Sequence, residues 1–268
     1  MELFFQFREK NLHYKKEGTG EALVLIHGFL ENLSMWDEIA FELSKTNQVI
    51  RIDLPGFGKS DCIEDIHSMA LFAECIKQLL KELNVDKFTL IGHSMGGYAG
   101  LELLKICSEK INHFILFHST AKADSEQKKN DRSRAIKMVK DKQNVYLKTA
   151  IPFLLPEQFQ ASCSGYIQKM IAEAKNLHSS GIIAALKGMQ QRKDCNELLK
   201  GLSCRKTYIA GTFDPLLNVA ALREEASNNE ANFVEIENKA NKVVTDVIIV
   251  LARVSLIDKL AISLINNL

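Results

Sequence analysis

Charge of one sign is the first thing this chain does without. Lys and Arg number 34 against 33 Asp and Glu, a net charge of +1, and no long block of either sign occurs. That balance leaves no electropositive footprint, so neither nucleic acid nor an anionic membrane surface is expected as a partner. Metal-ligand spacing is missing too. The six cysteines, Cys62, Cys75, Cys107, Cys163, Cys195 and Cys204, form no C-x-x-C and no Cys/His cluster. No metal or disulfide framework is therefore expected, and reduced thiols in a cytoplasm are the simplest reading. Long apolar runs are lacking as well: the most apolar stretch, Val243 to Ile257, is broken by Asp246 and Arg253 and is shorter than the ~20 residues a spanning helix needs. The opening MELFFQFREKN has too short an apolar patch for a signal-peptide core, so export is not expected. Internal repeats and low-complexity tracts are absent.

What is present is an ordinary globular composition, 46% hydrophobic and 25% charged over 268 residues. This excludes disordered, collagen-like and mucin-like chains and suffices for a core without staples. Short β-branched or aromatic runs alternate with longer segments of helical period, the pattern of a parallel sheet covered by helices. Strands are expected at Leu3 to Arg8, Leu12 to Lys16, Ala22 to His27, Gln48 to Asp53, Phe88 to Gly92, Ile111 to Phe117, Arg205 to Ala210 and Phe233 to Glu237. Helices are expected at Met35 to Leu43, Ile66 to Leu83, Tyr98 to Ile106, Val219 to Ser227 and from about Asp246. The interval from Ala121 to about Gly201 breaks the alternation and reads as a helical lid. Its beginning, KADSEQKKNDRSR, is a solvated helix or loop, while the apolar Phe153 to Pro156 and Gly181 to Met189 need cover from the main sheet or from a ligand.

Gly92-His93-Ser94-Met95-Gly96-Gly97 lies between an expected strand and an expected helix. The glycines leave room for a sharp turn that lifts a strained serine above the sheet, so Ser94 is the candidate nucleophile. Acyl transfer develops a tetrahedral oxyanion that needs two donors. The N–H of Met95, after the nucleophile, and that of Phe29, in the glycine-opened loop His27-Gly28-Phe29, are the candidates. His27 and His93 read as supports for their turns.

HGF at 27–29, Asp53-Leu54-Pro55-Gly56-Phe57-Gly58-Lys59-Ser60 and GHSMGG at 92–97, in this order and spacing, resemble the α/β-hydrolase superfamily and its single-domain esterase-like members. The resemblance implies an α/β-hydrolase fold: an eight-stranded, mostly parallel sheet flanked by helices, a helical cap after strand six, and a Ser, acid, His triad in that chain order. The core would be residues 1–120 and 202–268 and the cap 121–201. Gly211-Thr212-Phe213-Asp214-Pro215 resembles the family's G-x-x-D-P after strand seven, which makes Asp214 the implied triad acid. After strand eight the family carries Gly-His. Here Lys239-Ala240-Asn241-Lys242 follows, Asn241 stands where the base is expected, and all seven histidines precede Asp214.

An amide cannot take up a proton at neutral pH, so the usual mechanism lacks its base. The chain could be a non-catalytic relative that binds a small apolar ligand. A sequence error, a change of reading frame or an engineered change between about Lys239 and Ser255 could have removed the histidine, or the motif alignment could be offset. A substitute base could come from Lys239, Lys242, His118 or His178. Family resemblance implies a serine hydrolase of a small carboxylic ester that needs no cofactor. The absent histidine favours the binding protein and leads to the expectation of weak hydrolysis.

Overall fold

A computed structural model describes residues 2–236. Eight strands form one sheet in the order β1-β2-β4-β3-β5-β6-β7-β8: β1 (Leu3–Phe7), β2 (Lys10–Glu17), β3 (Glu21–Ile26), β4 (Asn47–Ile52), β5 (Phe88–His93), β6 (Ile111–Phe117), β7 (Arg205–Gly211) and β8 (Asn232–Ile236). β1 and β2 form an antiparallel hairpin, β2 runs antiparallel to β4, and the remaining pairs are parallel. The centre of the sheet is buried on both faces. EALVLI of β3 accordingly reads as a near-continuous apolar run rather than an alternating one, and NQVIRI of β4 is buried at five of its six positions, Arg51 included.

Helices α1 (Asp37–Leu43), α2 (Met69–Glu82), α3 (Met95–Cys107) and α9 (Val219–Asn228) accompany the strands, while α4 (Glu126–Ala150), α5 (Glu157–Gln160), α6 (Ser164–Ala174), α7 (Ser179–Gln190) and α8 (Asn196–Lys200) lie between β6 and β7. The sequence places the start of α2 three residues early: Ser68 is its N-cap, its hydroxyl accepting from Leu71 N–H at 3.1 Å, which satisfies an amide the helix itself cannot. Met35 and Trp36 belong to a separate 3-10 turn, Leu33–Trp36. The charged run after Lys122 becomes the start of α4, capped by Ser125. Within the apolar Phe153–Pro156 stretch, Phe153 stays 66% exposed. The helix expected from about Asp246 lies outside the described residues. Among the described residues no helix is long and apolar enough to cross a membrane.

α7 meets the core by backbone contact. A Cβ on Gly181 would lie 2.5 Å from Gly56 O, and one on Gly188 would lie 1.7 Å from His67 O. His67 N–H in turn donates to Ala184 O at 3.0 Å. His67 is fully buried, and burial drives its pKa down to about 4 against the nearby Pro55 carbonyl. The folded chain therefore holds this ring neutral, whereas the unfolded chain protonates it near pH 6.5. Stability from this residue is complete above about pH 6.5 and drains as pH falls toward about 4, by about 3 kcal/mol in all. Urea titrations at pH 7 and pH 4.5 check this: His67→Gln should reduce the acid loss, and an unchanged loss would show that His67 does not carry it.

Candidate active site

Ser94 is the single residue between β5 and α3, with φ 48° and ψ −111°. The left-handed turn is possible because its neighbours are small. A Cβ on Gly92 would lie 2.5 Å from the Gly96 carbonyl group, and one on Gly96 would lie 2.5 Å from Ile26 O. Ser94 N–H donates to Phe117 O at 2.9 Å, and Ser94 O accepts from Gly97 N–H at 3.0 Å and from the Ser119 hydroxyl at 2.8 Å. The main chain is thus held on both sides. Met95 opens α3, so its N–H points out of the helix without an intrahelical acceptor. In the loop after β3, the Gly28 N–H is taken by Glu31 Oε2 at 2.7 Å. Phe29 lines the cavity in which Ser94 sits, its ring edge-on to Phe57 at 6.0 Å.

β5 and β6 run parallel with His93 opposite Phe117. The next residues, Ser94 and His118, therefore leave adjacent strands side by side, about 4.8 Å apart in the sheet direction. Both are left-handed, His118 with φ 45°, and His118 N–H is anchored to Ile209 O at 2.8 Å. Its Nδ1 lies 2.6 Å from Asp214 Oδ2, while Asp214 Oδ1 accepts from Leu216 N–H at 2.8 Å and Leu217 N–H at 2.9 Å. Burial pushes the Asp214 carboxyl up, and the bond and charge of His118 with the two amides outweigh it, holding the group below the usual carboxylate range. An ionised Asp214 accepts from Nδ1–H, which leaves Nε2 of the neutral ring as a proton acceptor.

His93 makes a second pair, its Nδ1 2.7 Å from Glu31 Oε2. Burial disfavours both charges, but their attraction prevails, raising the imidazole pKa and lowering that of the carboxyl. His27 is fully buried with both ring nitrogens engaged, by Gly28 O at 2.7 Å and Leu54 N–H at 2.9 Å. His178 caps α7 and binds the Ser180 hydroxyl at 2.7 Å, away from the cavity residues. Asn241, Lys239 and Lys242 lie outside the described residues.

Ser94, His118, Asp214, His93, Glu31 and Phe29 face one cavity of about 850 Å³, walled by Met35, Trp36, Leu154, Leu155, Phe159, Met170 and Leu186 among others. Among the described residues no three His, Cys, Asp or Glu side chains gather as metal ligands. Sequence reasoning holds Ser94 and Asp214 as the reacting pair and His118 only as one of four substitutes. The signal for His118 was its place directly after β6, next to the strand carrying the serine.

The Thermogutta terrifontis thermophilic esterase shares this architecture, with a TM-score of 0.82 and 28% identity over 88% of this chain and 89% of that one. In sequence, a pimeloyl-[acyl-carrier protein] methyl ester esterase of Nitrosomonas europaea is 30% identical over 111 residues, 41% of this chain and 42% of that protein. An uncharacterized protein of Mycobacterium tuberculosis is 31% identical over 103 residues, 38% of this chain and 30% of that one. The aligned stretches thus span less than half of these curated relatives. A family model described as the alpha/beta hydrolase fold matches residues 21–241, and the chain belongs to that family of hydrolases.

Proposed function

We propose that this chain is a serine hydrolase of small carboxylic esters, with Ser94 as nucleophile and His118, oriented by Asp214, as base. The observation that carries this reading is the 2.6 Å His118–Asp214 contact on the residue adjacent to Ser94 across the β5–β6 register. His118 Nε2 takes the Ser94 hydroxyl proton as Oγ bonds to the ester carbonyl carbon. The N–H groups of Phe29 and Met95 hold the resulting oxyanion. Asp214 remains ionised and offsets the charge on His118. As the tetrahedral adduct collapses, His118 returns the proton to the departing alkoxide and an acyl-serine remains. Water, deprotonated by the same nitrogen, then attacks the acyl carbon and frees the acid and Ser94. Residues 121–201 act as a cap, with Leu154, Leu155 and Phe159 offering apolar surface to the substrate body. The esterase names of the Nitrosomonas and Thermogutta proteins support the choice of an ester.

A fluorophosphonate probe tests the reading, because it phosphonylates only an activated serine. Mass spectrometry should find the adduct on Ser94, with p-nitrophenyl acetate hydrolysis lost in proportion to labelling. Labelling that fails would leave the non-catalytic binding protein as the better account, and labelling that persists in Ser94→Ala would put the nucleophile at another serine.

A further inference from the structure

α4 starts beside the reacting groups, and its first turns carry an excess of positive charge into the cavity. Lys128 and Arg132 stand four residues apart on one helix face, and both line the cavity. Behind them Asp124, its side chain fully buried, is shared by two guanidinium groups. Arg132 Nε reaches Oδ2 at 2.5 Å, while Arg192 Nη2 reaches Oδ1 at 2.9 Å. Arg192 also donates to Lys122 O and stacks over the Tyr98 ring at 3.8 Å, on the helix that begins at the nucleophile. One carboxylate between two arginines leaves a net positive charge held in a partly desolvated place.

Lys128 adds to that excess. Its ammonium donates to Leu216 O at 3.5 Å, the long limit of a hydrogen bond, and among the described residues no carboxylate lies within ion-pair distance of it. Burial lowers its pKa, with Arg192 and Arg132 adding to the effect and Asp124 and Asp214 opposing it. Four acidic groups line the cavity: Glu38, exposed on α1, has no ion-pair partner among the described residues, and the other three have partners of their own. Asp131 is engaged by Arg134 and by Gln127 Nε2 at 3.1 Å, Glu31 by His93 and Gly28, and Asp214 by His118, Leu216 and Leu217. Leu216, the Lys128 contact, lies two residues beyond Asp214 in the same turn. The unmatched cation is therefore one loop's width from the reacting groups, in a cavity that is otherwise mostly apolar.

We infer that Lys128, backed by the Arg132–Asp124–Arg192 cluster, is a carboxylate subsite, and that the preferred substrate is a half-ester of a short dicarboxylic acid. This rests on the hydrolase reading above and adds its substrate class. A substrate carboxylate there would form charge-assisted hydrogen bonds with the ammonium and complete the charge balance that Asp124 leaves open.

Two measurements test it, one of which needs no turnover. Calorimetric titration of Ser94→Ala protein with glutarate and with dimethyl glutarate should show the dianion binding at least about tenfold more tightly. That gap should close with Lys128→Met added and persist with Lys128→Arg. In the Ser94 protein, the ratio of kcat/KM for mono-p-nitrophenyl glutarate to that for p-nitrophenyl acetate should fall about tenfold in Lys128→Met, mainly through KM. Equal binding of the neutral diester, or a preference unmoved by Lys128→Met, would overturn the inference. Glutarate binding that depends on Lys128 in a protein that hydrolyses nothing would uphold the subsite and defeat the hydrolase reading instead.

Discussion

Replacing His118 with alanine is expected to lower kcat for p-nitrophenyl acetate by roughly 10⁴-fold or more, a loss comparable with that from Ser94→Ala. In the proposed mechanism the two residues act as one unit, since a serine hydroxyl without an acceptor for its proton is a weak nucleophile and the acceptor alone forms no acyl-enzyme. The double variant should therefore be little slower than either single one. His93 is the informative control because it lies in the same cavity and its ring centroid is 6.0 Å from that of His118. His93→Gln should cost stability through its buried Glu31 partner while keeping most turnover. If His93→Gln abolished hydrolysis and His118→Ala did not, the assignment would be reversed. Asn241→His offers a second discrimination: with His118 already serving as base it should change turnover only slightly, and a gain of several orders of magnitude would show that the unaltered chain has no working base.

Gly188→Ala is expected to destabilise the fold by about 3 kcal/mol, at the upper end of overpacking costs, since the new methyl would meet the His67 carbonyl at 1.7 Å and backbone on both sides resists moving. In thermal unfolding this corresponds to a fall of roughly 6–12 °C for a chain of this size. Gly165→Ala, in α6, is the matched comparison: a Cβ there meets nothing within 4 Å, so the change should be neutral or stabilising by about 0.5–1 kcal/mol through helix propensity. Equal melting of the two variants would mean that α7 does not dock as described.

Local signals carried most of the architecture. Short β-branched or aromatic runs of five to seven residues found all eight strands to within two residues at either end, and central strands such as β3 stand out most because a strand buried on both faces can be read from its own composition. The elbow at Ser94 was legible for the same reason, its glycines being within two residues of the strain they relieve. What escaped were pairings set by tertiary distance. His118 and Asp214 are 96 residues apart in the chain, and nothing local to either marks the other as its partner. The charged run of α4 resembled a solvated face, since only the packing of α4 against α7 and the Asp214 loop turns Lys128 and Arg132 toward the cavity. Ser68 shows the smaller kind of miss, in which a capping hydroxyl ends a helix that apolar periodicity alone would extend.

The Gly56–Gly181 approach bears on how the helical segment can be exchanged among relatives. Gly56 takes φ +80° and a Cβ on it would lie 2.7 Å from Gly181 Cα, so the joint is made by main chain on both sides. Such a joint has no side chains through which one surface could adapt to a new partner. A helical segment transplanted from another protein would have to bring glycine at the position of Gly181 or carry a shifted helix. Recombination across this seam is thus constrained by two residues that do not line the cavity, while the cavity walls remain free to diversify.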